Sequence, residues 1–159
     1  MVISLTRRTA LLMPLVLAAC GGRTRPAPPP KSRPVGDLHP GETPEMRALI
    51  VKYAAVHGIP ESLLHRVIQR ESDYNPWARN GPYYGLMQIL PQTAGTMGYR
   101  GSPEGLLDAE TNLIYAGRYL SGAWMVSGGS ETKAVMWYAK GYYYEAKRLG
   151  VLKETGLRS

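Results

Sequence analysis

Leu64, Val67 and Ile68 recur at the spacing of a buried helical stripe, and the stripe's next position, seven residues beyond Leu64, is Glu71. A carboxylate there is disfavoured in its ionised form by desolvation against Val67 and Ile68 and by the negative end of the helix dipole. Both effects raise its pKa, and a carboxylic acid that keeps its proton near neutral pH can serve as a general acid. Asp73, two residues on, would point away if the helix continued. A structural role fits the same geometry: Glu71 could cap a neighbouring loop or pair with Arg70 or Arg79. Helical spacing alone leaves both readings open.

Other chemistries find little support. The chain has 159 residues and a single cysteine, which excludes an internal disulfide framework and a cysteine-based zinc site. His39, His57 and His65 are not spaced as metal ligands, so neither a metal nor a cofactor is expected. The P-loop, GxGxxG and GxSxG patterns are absent. A formal charge of +7 favours an acidic partner without naming one.

The elements that must position Glu71 read as all-α. Thr43 is placed to cap a helix with Pro44 at its first position, and Gly58 to stop it. Further helices are expected at about 60–71, 91–97, 110–126, 131–138 and 142–149, with Gly150 as a terminator. Between Ser72 and Leu90 the pattern is loop-rich, which is where a site on a helical scaffold is expected. Asp108 and Glu110 read as caps of the helix that follows them.

Ahead of this domain (44–159) lie two other segments. Residues 1–19 join Arg7 and Arg8 to a short apolar run that is followed by Cys20, the pattern of an export signal. Leu17-Ala18-Ala19-Cys20-Gly21 resembles the bacterial lipobox, which implies lipidation of Cys20 and a membrane anchor. The arginine pair also resembles a twin-arginine signal, so the export route stays open. Residues 20–43 form a basic, proline-rich tether that cannot bury enough surface to order itself. Extended at about 3.1 Å per residue, it would reach roughly 70 Å. Export removes nucleic acid from the expected partners.

Around Glu71 the text reads Glu71-Ser72-Asp73-Tyr74-Asn75-Pro76-Trp77-Ala78, then Gly85-Leu86-Met87-Gln88-Ile89-Leu90-Pro91-Gln92-Thr93-Ala94. A third block runs Asp108-Ala109-Glu110-Thr111-Asn112-Leu113, with Gly117, Tyr119 and Leu120. In order and content these blocks resemble the soluble lytic transglycosylases, over roughly Met46 to Arg148. The resemblance implies a lysozyme-like catalytic domain acting on peptidoglycan glycan strands, without a cofactor. It makes Glu71 the single catalytic acid/base, Ser72 and Asn75 the residues that hold the active-site turn, and Met87 and Gln88 groove contacts to the saccharide. Tyr138 matches a tyrosine that approaches the catalytic carboxylate. One acid suffices if the muramyl 6-hydroxyl attacks its own anomeric carbon, giving a 1,6-anhydromuramyl end; glycosidases ordinarily use two carboxylates.

The chain departs from the family in three places. Asn80 stands where a serine is usual, and its amide can still donate to an N-acetyl carbonyl. The loop Gly81-Pro82-Tyr83-Tyr84-Gly85 is one residue shorter in spacing, which puts Tyr83 or Tyr84 against a sugar ring, with Tyr84 taken as the contact. Ala139-Lys140-Gly141-Tyr142-Tyr143 replaces Asn-Ala-Gly-Pro-Gly. Tyr142 to Tyr144 read either as groove contacts or as helix packing. Tyr115 and Tyr119 read as core, as do Trp77, Trp124 and Trp137, and His65 falls on the solvent side of its helix. The expectation is a lipid-anchored periplasmic enzyme, with Gly21 pointing to the outer membrane and a secretion or wall-assembly partner left open. The alternatives are a lysozyme-type hydrolase and a non-catalytic murein-binding lipoprotein.

Overall fold

The computed structural model describes residues 38–158. The export signal, Cys20 and most of the tether lie outside the described residues. Six α-helices appear in the expected order: α1 Pro44–His57, α2 Glu61–Glu71, α3 Pro91–Thr96, α4 Ala109–Val126, α5 Glu131–Lys140 and α6 Tyr143–Leu149. Their ends obey local rules. Thr43 accepts from the Met46 amide at the start of α1, and Gly58 and Gly150 close α1 and α6 in the left-handed region that glycine tolerates. Asp108 accepts from Thr111 N (2.8 Å) and so caps α4. Glu110 does not cap: it takes hydrogen bonds from Lys52 Nζ (2.6 Å) and Tyr53 Oη (2.8 Å) and ties α4 to α1.

α4 is the axis of the domain. Its buried Leu113, Ala116, Leu120 and Ala123 pack between α1 and α5, and α2 closes the core with Leu63, Leu64, Val67 and Ile68. A Cβ on Gly122 would lie 2.2 Å from the Tyr142 hydroxyl, which instead donates to Tyr119 O (2.9 Å); the close approach requires glycine. Tyr142 is therefore packing, whereas Tyr143 and Tyr144 are exposed. Two small elements had no sequence signal. Pro103–Leu107 forms a 3-10 helix, and β1 Arg79–Asn80 pairs antiparallel with β2 Tyr83–Tyr84.

Three expectations fail on tertiary cover, which no periodicity reports. His65 is buried, with Nδ1 2.6 Å from the Tyr74 hydroxyl and Nε2 3.3 Å from Glu61, because residues 38–43 and Tyr74 fold over that side of α2. Residues at the end of the tether thus belong to the packed domain: Arg47 Nε and Nη2 donate to the buried Glu42 carboxylate (2.5 and 2.6 Å). Trp77 is not core but 71% exposed, in the turn that follows Glu71, while Trp124 and Trp137 are partly buried.

Candidate active site

Glu71 is the last residue of α2, and the chain must reverse at once to bring the Gly85–Ala94 block beside it. Ser72 Oγ donates to Leu86 O (2.7 Å) and ties the helix end to that block. Asp73 (φ 50°) and Tyr74 (φ 66°) then adopt consecutive left-handed conformations, an uncommon and strained arrangement for residues with side chains. The buried Tyr74 ring holds the turn through His65 and through Gln69 Nε2 (3.3 Å). Asn75 Oδ1 accepts from Trp77 N (3.0 Å) and finishes the bend. Ser72 and Asn75 therefore stand where a turn-holding role requires.

The second block is fastened from below by a residue that sequence reasoning noticed only as a motif letter. Asn112, fully buried on α4, accepts from Met87 N (2.9 Å) and donates to Leu106 O (2.8 Å) and Tyr84 O (2.9 Å). Gly85 sits on this joint with φ 73°, where an added Cβ would lie 2.2 Å from Leu106 O. Its amide donates to Ala78 O (2.8 Å). Gln88, also left-handed (φ 48°), donates its Nε2 to Ala78 O and Gly85 O (3.0 and 2.8 Å). This leaves its buried Oε1 without a hydrogen-bond partner among the described residues.

Glu71 opens into a cleft of about 290 Å³ whose floor and walls include Gln88, Tyr138 and Ala139, with Asn80 and Tyr83 from the hairpin and Arg70 at the rim. No second carboxylate lines it among the described residues. The Glu71 side chain is 23% exposed, and burial raises its pKa above the ordinary glutamate value. The Arg70 guanidinium, 3.6 Å away, works in the opposite direction and is outweighed. Tyr138 is buried against this carboxylate: burial and then the Glu71 charge hold its phenol well above the usual range, so it stays neutral. Its hydroxyl donates to Met87 O (2.8 Å).

The cleft thus brings together Glu71, Asn80, Gln88 and Tyr138 of the expected residues, and Ser72 and Asn75 shape it. Two residues stand elsewhere. The Met87 side chain is fully buried, so Met87 reaches the site only through its carbonyl, under Tyr138. Tyr84 is turned to Arg79, whose guanidinium lies 4.4 Å from the ring and donates to the hydroxyl (2.7 Å); Tyr83, 42% exposed, takes the place at the cleft. In the short hairpin, alternate side chains face opposite ways, which decides between the two tyrosines.

Comparison with known proteins bears on this geometry. The profile of the Transglycosylase SLT domain matches residues 48–151. The chain is 38% identical over 81 residues to proteins of Yersinia pestis (strain Pestoides F) and Yersinia pseudotuberculosis (serotype O:1b, strain IP 31758), each named membrane-bound lytic murein transglycosylase C. Those matches cover 46% of this chain and 23% of each relative, so the chain matches about a quarter of their length. No solved structure matches significantly. Helices α2 to α6, most of α1, the Glu71 turn and the loop pinned by Asn112 fall within the matched span, and the chain belongs to the Transglycosylase SLT domain family.

Proposed function

We propose that this protein is a peptidoglycan lytic transglycosylase that cleaves the β-1,4 bond between N-acetylmuramic acid and N-acetylglucosamine, with Glu71 as its single acid/base. The observation that carries this reading is a partly buried carboxyl with a raised pKa, the one carboxylate that lines the cleft among the described residues. Glu71 protonates the bridging oxygen, the bond from that oxygen to the muramyl anomeric carbon breaks, and N-acetylglucosamine leaves with a free hydroxyl. The carboxylate then takes the proton of the muramyl 6-hydroxyl as that oxygen bonds to the anomeric carbon. No water is consumed, and a 1,6-anhydromuramyl end is released. The N-acetyl carbonyl of the substrate supports the positive charge at the anomeric carbon, and the exposed Asn80 amide on the hairpin orients it. Tyr83 stacks on a sugar ring, and Tyr138 backs the carboxyl while holding Met87 O.

The proposal extends to location. Cys20 carries a lipid anchor in the periplasm, facing the wall from the outer membrane. The relatives' printed names support membrane attachment, and no helix among the described residues is long and apolar enough to cross a bilayer. Glu71→Gln tests the function. The variant should fold and still sediment with sacculi, yet release dye from labelled sacculi at least about 100-fold more slowly, the contribution expected of a general acid. Release within a few-fold of the parent overturns the role of Glu71.

A further inference from the structure

Residues 38–43 form a strap against the reversal that follows Glu71. No residue of the strap lines the Glu71 cleft. Leu38, His39 and Glu42 border instead a separate cavity of about 140 Å³, which they share with Arg47, His65, Gln69 and Tyr74. The strap is a closed turn with its own anchor. Glu42 N donates to His39 O (2.8 Å), His39 N donates to the Glu42 carboxylate (3.2 Å), and Arg47 of α1 holds that buried carboxylate. Thr43, its last residue, caps the same helix. From this base the strap bears on the two strained residues of the reversal. The His39 ring lies 5.0 Å from the Tyr74 ring, and its Nδ1 lies 3.5 Å from the Asp73 carboxylate. Gly41 packs so closely that an added Cβ would lie 2.6 Å from Asp73 O. Gly41 is not left-handed, so contact rather than backbone conformation requires glycine there.

We propose that residues 38–43 are a positioning strap for Glu71: by bracing Asp73 and Tyr74 from outside the cleft, they hold the carboxyl in place for proton transfer. The proposal rests on the murein reading above and adds a determinant of its rate. Consecutive left-handed residues with side chains persist only where their surroundings over-determine them, and the strap supplies that restraint from a distant part of the sequence. Asp73 O accepts no hydrogen bond among the described residues, so the close packing of Gly41 is what fixes it on that side. The link to the carboxyl is short. Ser72 N and Asp73 N both donate to Ile68 O (3.0 and 3.1 Å), so a shift of Asp73 passes directly to the last turn of α2, where Glu71 sits. An element that places the acid without meeting the substrate acts on kcat and leaves KM alone. A strap that only stabilises the fold would do neither.

Gly41→Ala in the full chain tests the strap. The methyl must move from 2.6 Å to the 3.4 Å of ordinary contact, which pushes strap and reversal apart. A misplacement of about 1 Å made away from the chemistry can cost about 100-fold. Steady-state cleavage of soluble glycan strands should therefore show kcat lowered at least about tenfold, with KM within about twofold of the parent. His39→Ala removes the ring beside Tyr74 but spares Gly41, and should lower kcat in the same way by a smaller factor. Ala55→Gly, an exposed change inside α1, is the stability control and should keep the parent's kcat. All are assayed at a temperature where circular dichroism shows them folded. A kcat for Gly41→Ala within about twofold of the Ala55→Gly value, or a loss confined to KM, overturns the proposal. A second arm needs no catalysis. Hydrogen exchange at the Ser72 and Asp73 amides should quicken in Gly41→Ala but not in Ala55→Gly, while the Met87 amide, held by Asn112, stays protected in both. Equal exchange at Ser72 and Asp73 in the two variants also overturns it. If the parent cleaves no glycan, the murein reading fails, and the exchange arm alone decides whether the strap holds the reversal.

Discussion

Asn112→Ala tests whether the loop beside Glu71 is held from beneath, and its cost follows from the partners it strands. The fully buried side chain makes three hydrogen bonds to backbone groups. Tyr84 O keeps another donor, Ile89 N (3.1 Å), but among the described residues Met87 N and Leu106 O rely on Asn112. Each stranded buried group costs about 1–3 kcal/mol, so the variant should lose about 4 kcal/mol. That is a large share of the 5–15 kcal/mol typical of a domain, and for this size it lowers Tm by on the order of 15 °C. Asn112→Asp sharpens the test. It keeps an acceptor for Met87 N but turns an oxygen toward two carbonyls, so its folded-state pKa rises above the ordinary aspartate value. A raised pKa means stability retained at low pH and lost as pH rises through it. Thermal unfolding followed by circular dichroism should therefore show the aspartate variant nearer to the parent at pH 4 than at pH 7. The exposed Ile114→Ala on the same helix serves as control. A Tm within about 3 °C of the parent for Asn112→Ala, or an aspartate variant indifferent to pH, would refute the reasoning.

Three further outcomes follow from the same groups. Arg70 opposes the burial that raises the Glu71 pKa, so Arg70→Gln should raise it further and carry the alkaline limb of the pH–rate profile to higher pH; an unmoved or lowered limb contradicts this. Because the Glu71 pKa is raised on folding, its ionisation works against the fold as pH rises. Glu71→Gln should accordingly have the higher Tm at pH 7, with the difference shrinking toward pH 4, and an acid-side gain would reverse the sign. For Glu42, burial alone would raise the pKa, but hydrogen bonds from Arg47 and the His39 amide outweigh it and leave the group below 4.5. Glu42→Gln should thus cost about 3 kcal/mol at pH 7 by stranding Arg47, and progressively less as pH falls below 4.5, as read by urea titration.

Much of this was legible from local rules. The caps at Thr43, Gly58, Asp108 and Gly150 are short-range chemistry, and each closes the helix it was expected to close. Glu71 was visible because a charged residue on an apolar stripe violates periodicity, and the structure shows the desolvation that the violation implies. What escaped depends on long-range cover. His65 is buried by residues 38–43 and Tyr74, which arrive from outside its helix. Met87 reads as a groove residue in a motif, yet its side chain turns into the core while its backbone serves the site. Tyr83 rather than Tyr84 faces the cleft because of a two-residue strand pairing too short to leave a pattern. Asn112 stood in a recognised block, but its work as a three-way clamp needs the loop and the 3-10 helix to meet above it.

The central claim is that one carboxyl cleaves the glycan by moving a proton within the substrate, without water. Digestion of purified sacculi by the full chain, with the released muropeptides weighed by mass spectrometry, tests it most directly. Products one water lighter than those of a lysozyme digest, absent when Glu71→Gln replaces the parent, are the predicted result. Products with reducing ends, or the lighter products still released by Glu71→Gln, would contradict it.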